Sequence, residues 1–219
     1  MDYNSAAVKT GTQTVEINKV LKNTYSLLAM TLIFSAFTAW YAATNFVQPM
    51  GLVVTLIGVY GLMFAVYKTA NSIWGLFFVF AFTGFLGYSL GPLLAMVSAT
   101  APDILFTALG GTGLIFFALS GYVLVTRKDM SFLSGMLTAG MVVLVIAMIA
   151  GFFLHLQALQ LAISAGFMLF SSALILYQTS EIIHGGETNY IRATVTLFVS
   201  LYNIFVSLLN LLMSFSGND

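Results

Sequence analysis

Catalysis needs groups that ionise, attack or ligate, and this chain has few of them. Its 219 residues include 7 Asp and Glu, 7 Lys and Arg, 2 His and no Cys, with 60% hydrophobic and 6% charged residues. Without cysteine there is neither a disulfide nor a thiolate metal site. The patterns H-E-x-x-H and G-x-S-x-G are absent, which removes the usual metal-hydrolase and serine-hydrolase signatures. The cluster Gly110-Gly111-Thr112-Gly113 has neither the Lys-Ser/Thr nor the preceding strand of a phosphate loop. No Asp or Glu lies well inside an apolar run, so an intramembrane aspartyl mechanism has no residues to work with. The chain is expected not to be an enzyme and to hold no metal or cofactor. No basic cluster points to nucleic acid, and the surroundings its composition suits are lipid.

What the chain offers instead is hydroxyl and amide groups at regular spacing. From Tyr190 to about Phe215 the residues Thr196, Ser200, Asn203, Ser207, Asn210 and Ser214 recur in steps of four and three, which puts them on one helical stripe. Polar groups facing hydrocarbon lack partners, so the stripe is expected to face protein or a wet cavity. Close helix packing and a solvated path both fit that spacing. Ser164, Ser171 and Gln178 recur at sevens and form a thinner stripe that could meet the first. A third group, Glu181, His184, Glu187 and Arg192, sits in the polar stretch before Tyr190. It reads either as an interfacial site or as a solvated loop that fixes topology. Gly185-Gly186 is predicted to end any helix running into that stretch.

The elements that carry these residues follow from length and hydropathy. A mean hydropathy of +1.00 and so few charges define an integral membrane protein. About 20 apolar residues at about 1.5 Å rise cross a hydrocarbon core of about 30 Å. Seven runs qualify: about Asn23–Thr44, Met50–Tyr67, Ile73–Val97, Ile104–Val125, Phe132–Leu154, Leu159–Tyr177 and Tyr190–Phe215. The predicted fold is an all-α integral membrane protein, a seven-transmembrane-helix bundle with the last helix central. Gly84, Gly87 and Gly91 give the third span a face for close packing. Residues 1–22 form a polar tail with an irregular start, from which an amphipathic pattern leads into the first helix at Val15; residues 23–219 are the membrane domain. Lys9, Lys19, Lys22, Lys68, Arg127, Lys128 and Arg192 all fall in the tail or the second, fourth and sixth connections. The positive-inside rule then puts the N-terminus in the cytoplasm and the C-terminus outside, with His155 and His184 on opposite sides.

Three segments carry a resemblance: FAFTGFLGYSLGPLL (Phe80–Leu94), RKDMSFL (Arg127–Leu133) and LYQTSEIIHGGETNYIRATVTLFVSLYNIF (Leu176–Phe205). With the matching order of spans, the chain from Lys19 onward resembles the Bax-inhibitor family, and within it a bacterial branch. The resemblance implies a seven-helix bundle of the bacterial inner membrane with the last helix central. In much of that family an aspartate on helix six and another on helix seven form a pH-responsive latch on a calcium leak. Those positions align with Gln178 and Ser200, neither of which ionises. For the bacterial branch the resemblance implies a modulator and slowly handled substrate of the membrane AAA protease FtsH, engaged through the cytoplasmic N-terminal tail. The alternative it carries is a calcium or proton leak along the polar stripes of helices six and seven.

Overall fold

The computed structural model describes residues 3–154 and 156–216, with side chains from Val15 onward. His155 and the tail Gly217–Asp219 lie outside the described residues. Seven helices follow one another: α1 (Tyr3–Thr44), α2 (Leu52–Thr69), α3 (Ile73–Thr100), α4 (Pro102–Thr126), α5 (Leu133–Leu154), α6 (Gln157–His184) and α7 (Tyr190–Ser216). All seven are long and apolar enough to cross a membrane. Helix is the form these runs take because hydrocarbon offers no partner to an open backbone group. Pro102 opens α4 at a position where its missing N–H costs nothing.

Two helices run further than their apolar stretches suggested. The α1 backbone is helical from Tyr3, where the sequence led us to expect an irregular start. Extending an existing helix adds one hydrogen bond per residue fixed, whereas starting one is costly. Likewise α6 continues past the expected end at Tyr177 as far as His184. Gln178, Thr179 and Ser180 are 7%, 0% and 1% exposed, so they are packed helix rather than connection. The predicted stop is where α6 ends: Gly185 adopts φ +80, and Gly186 N–H donates to the Glu181 carbonyl at 2.8 Å.

The last helix is the centre of the bundle. It touches α1, α2, α3, α4 and α6, while among the described residues α5 packs only on α6. Half of its most apolar window is buried, against 6% for α2. Phe198, Leu197 and Ile204 of α7 share one core with Leu28 of α1, Phe82 of α3 and Ile175 of α6.

The expected glycine face of α3 takes α1. A Cβ on Gly84 would strike the Phe34 ring, one on Gly87 the Ser35 carbonyl, and one on Gly91 the Ala42 side chain. The Thr38 hydroxyl completes the contact, shared between the Gly84 carbonyl at 3.0 Å and the Ser35 carbonyl at 2.9 Å. On α4, Gly111 lies against Leu208, but Gly110 and Gly113 are unused: a Cβ on either would meet nothing. Gly87→Val should therefore destabilise the detergent-solubilised protein by about 1–3 kcal/mol through overpacking. Gly113→Ala should be neutral, or gain up to about 1 kcal/mol of helix stability. Thermal unfolding of both variants checks this, and equal melting temperatures would refute the contrast.

Candidate functional site

One end of the bundle gathers the N-terminal part of α1 with the α2–α3, α4–α5 and α6–α7 connections. Lys19 and Lys22 of α1 and Arg127 and Lys128 belong to these segments, and Lys68 in the last turn of α2 and Arg192 in the first turn of α7 adjoin them. Asn189 fastens two of them. Its Oδ1 accepts the Ile191 and Arg192 N–H groups at 2.9 and 3.1 Å, capping α7. Its Nδ2 donates to the Ala70 carbonyl at 3.0 Å and to Asn71 Oδ1 at 2.7 Å, which ties α7 to the α2–α3 turn. An Asn just ahead of an apolar run is a readable cap, but its second use depends on tertiary contact.

The end of α6 is fastened to the α4–α5 connection in a similar way. Arg127 takes the left-handed conformation, φ 50, and turns its carbonyl toward α6. The Ser180 hydroxyl accepts the buried Met130 N–H at 3.0 Å. His184 holds the other side, with Nδ1 at 2.9 Å from the Ser180 carbonyl and Nε2 at 3.2 Å from the Arg127 carbonyl. Carbonyls only accept, so both bonds form together only when both ring nitrogens carry protons. Below this, the Ser131 backbone N–H and then its hydroxyl hold the Asp129 carboxyl under its ordinary range, and charge on His184 adds to the effect. A carboxyl depressed in this way favours the fold above its ordinary value of 3.8, and that contribution is lost as pH falls through its lower folded value.

Among the described residues, the side chains of Glu181, His184, Glu187 and Arg192 make no hydrogen bond to one another. Glu187 accepts the Asn189 N–H at 2.8 Å, His184 faces α4–α5, and Arg192 keeps a buried Nε without a partner. None of them makes an ion pair among the described residues. Glu16, Lys19, His184 and Glu187 do border a common cavity of about 630 Å³ between α1 and the α6–α7 connection. Among the described residues no group of acids and histidines is arranged to hold a metal.

The buried polar groups lie deeper. Tyr25, Thr179 and Ser120 make a hydroxyl chain from α1 through α6 to α4, with both contacts at 3.4 Å. Thr194 of α7 reaches the Thr24 carbonyl of α1 at 3.2 Å. These contacts were not legible in the sequence, since hydroxyls on four different helices share no spacing. On α6, Gln178 and Ser171 are buried, and Gln178 Nε2 and Ser171 Oγ find no partner. On α7, Ser200 and Ser207 are buried, Thr196, Asn203 and Ser214 are half-buried, and Asn210 is exposed. The Ser200 hydroxyl donates to the Thr196 carbonyl of its own helix at 2.8 Å. Among the described residues Ser164, Ser171 and Gln178 make no side-chain hydrogen bond to the α7 stripe; α6 and α7 are bonded at the far end, where Gln157 Nε2, outside the predicted α6 stripe, donates to Ser214 Oγ at 3.3 Å.

The fold and these ties define a polytopic helical membrane protein: seven spans, the last of them central, with the connections at one end stitched together. The family profile described as "Inhibitor of apoptosis-promoting Bax1" matches residues 17–217. The chain is 60% identical over 209 residues to "Modulator of FtsH protease YccA" of Escherichia coli K12, a match covering 95% of each protein. It is equally similar to "Inner membrane protein YccA" of Escherichia coli O6:H1. A Pseudomonas aeruginosa protein of uncharacterised function is 53% identical over 206 residues, 93% of each. The chain belongs to the Bax-inhibitor family, as the three sequence segments implied.

The stitching can be tested at Ser180. Ser180→Ala leaves the buried Met130 N–H without its acceptor, which should cost about 1–3 kcal/mol. Hydrogen exchange at Met130 should speed up while amides in α7 stay protected; unchanged exchange at Met130 would show that this bond does not hold the connection.

Proposed function

We propose that this chain is an inner-membrane modulator of the membrane protease FtsH, acting by binding and not as an enzyme. The observation that carries the reading is 60% identity across 95% of both proteins to a relative named for that activity. The basic end fits the cytoplasmic side, because every Lys and Arg lies in the tail or in the even-numbered connections. The N-terminus is then cytoplasmic and the C-terminus periplasmic.

The tail, Met1 to Lys22, is the point of engagement on this reading. Its described side chains are largely exposed, with Val15 at 67%. A protease that threads its substrates needs an end it can draw out, and twenty-two residues extend to roughly 70–80 Å. Behind them lie seven spans that leave lipid reluctantly. A grip that is easy to take and hard to finish occupies the protease and spares its other substrates. Gln178 and Ser200 stand at the family's latch positions without a titratable group, which favours the modulator over an ion leak.

Single cysteines in this cysteine-free chain test the orientation. Cys at Ser98 or Ser216 should react with an impermeant reagent from outside, and Cys at Ser5 or Thr188 should not; Ser5 and Ser216 reacting from one side would overturn the seven-span topology.

The function is tested through the tail. Overexpressing the intact protein should prolong the half-life of a second FtsH substrate in the same cells. Deleting Asp2 to Thr10 should slow degradation of this protein while its bundle still folds and binds. Pulse-chase of both forms reads both effects. Equal half-lives, with no sparing of the second substrate, would remove the tail from the mechanism.

A further inference from the structure

His184 ends α6 with both ring nitrogens turned on carbonyl oxygens. Nδ1 lies 2.9 Å from the Ser180 carbonyl, and Nε2 lies 3.2 Å from the Arg127 carbonyl of the α4–α5 connection. We propose that His184 is a proton-operated clasp. With its ring charged it holds the connection fully on the end of α6; with its ring neutral it gives up one of the bonds that do so. The clasp does not depend on the modulator reading.

The hydrogens can be counted in each state. The Ser180 hydroxyl oxygen accepts the Met130 N–H at 3.0 Å. Its own hydrogen has two acceptors in reach, the Lys128 carbonyl at 3.5 Å and His184 Nδ1 at 3.2 Å. With both ring nitrogens protonated, Nδ1 donates to the Ser180 carbonyl and Nε2 to the Arg127 carbonyl, which leaves the Ser180 hydroxyl to the Lys128 carbonyl. The connection then has three bonds to α6, at Arg127, Lys128 and Met130.

A neutral ring carries a single N–H. With that hydrogen on Nδ1, the Arg127 bond is gone and a nitrogen lone pair faces the Arg127 carbonyl. With it on Nε2, the lone pair of Nδ1 faces the Ser180 carbonyl at 2.9 Å, and the Ser180 hydroxyl turns to Nδ1, the nearer of its two acceptors. The Lys128 bond is then gone. Either tautomer leaves the connection one bond short and sets a lone pair against a carbonyl oxygen.

The charged groups around the ring come from every neighbouring element: Arg127, Lys128 and Asp129 from the connection, Glu181 from α6, Glu187 from the α6–α7 connection, and Glu16 and Lys19 from α1. Carboxyl, amine and guanidinium groups ordinarily change charge outside about pH 5–8, and imidazoles inside it. The Asp129 carboxyl is moved further from that window, since the Ser131 backbone N–H holds it low. The contribution of the clasp is therefore present on the acid side of the window and is lost as pH rises through it.

What the clasp controls is the start of α5. Among the described residues α5 packs only on α6, so the connection is its second hold. Met130 and Leu133 stay in their cluster with Val123 of α4 and Ala173 of α6 in both states. Raising the pH loosens the connection without detaching the helix. On the topology proposed above this end faces the cytoplasm, whose pH then sets the state.

The test is hydrogen exchange on the full chain in lipid nanodiscs, at about pH 5.5 and about pH 8, corrected for the intrinsic rate at each pH. Protection of the amides from Lys128 to Ser134 should fall by roughly three- to tenfold at the higher pH, the worth of one hydrogen bond. Protection of Leu197 to Ile204 in α7 should not change. In His184→Gln the fall should be absent, whereas Glu187→Gln should keep it. The midpoint of the wild-type change should coincide with the titration of the His184 ring, followed by its imidazole nitrogen-15 resonances. Wild-type protection that ignores pH, an equal fall in α7, or a fall that persists in folded His184→Gln would each overturn the clasp. If His184→Gln does not fold, the wild-type midpoints decide alone, and a separation of more than one pH unit between them overturns it.

Discussion

The structure depends on one constraint: a polar group taken into hydrocarbon has to find its partner within the protein. Most of the hydroxyls meet it locally. Thr31, Thr69, Thr112, Ser172, Thr194 and Ser200 each donate to a carbonyl three or four residues earlier on the same helix. A serine or threonine can thus sit inside a span at little cost and without a partner across the interface. Gln178 finds no such return path, and its Nε2 is buried and unpaired. The polar stripe of α7 is therefore a weaker guide to its surroundings than its spacing suggests. Ser200 and Ser207 are buried on it, yet Asn210 is exposed.

Much of the architecture was legible because lipid imposes length and hydropathy on each span independently. Seven runs and their order follow from that, while the central place of the last one was read from its polar stripe. The end of α6 did not. Gln178-Thr179-Ser180 has the composition of a connection, but Thr179 and Ser180 are closed in by hydroxyls of α1 and α4 and by the Met130 amide. Composition records what water would favour at a position and not which neighbour will arrive there. The Gly185 stop was legible for the opposite reason, since a left-handed turn with φ +80 needs only a local property of the residue. The ties made by His184 and Asn189 lie between those cases. Each residue stood out in type or position, while its partners, carbonyls at Arg127 and Ala70, belong to distant connections.

Glycine shows the same divide within one residue type. Gly84-x-x-Gly87 on α3 and Gly110-x-x-Gly113 on α4 look alike in the sequence. The first pair is filled by Phe34 and Ser35 of α1, and the second is open. What separates them is the order in which helices surround α7. That order puts α1 on α3 and leaves Gly110 and Gly113 of α4 with no group within reach.

That arrangement bears on how the chain would resist a protease. If the tail is the point of engagement, force enters at α1. The first apolar side chains it meets are weakly held, since Ile17 lies beside Gly185 at the rim of a partly polar cavity. Further along, Phe34, Ser35 and Ala42 are seated against the α3 glycines, and Thr38 is bonded across to Gly84. These contacts sit deep in the span and act in series with Leu27 and Leu28, which are 2% exposed in the core around α7. Resistance along α1 therefore rises steeply after its first turns, and α1 cannot be drawn out without opening the face it shares with α3. A loose grip followed by an abrupt stop is what a competitive occupant of a threading protease requires. The sequence places the two in that order, with a polar tail first and a tightly packed span behind it.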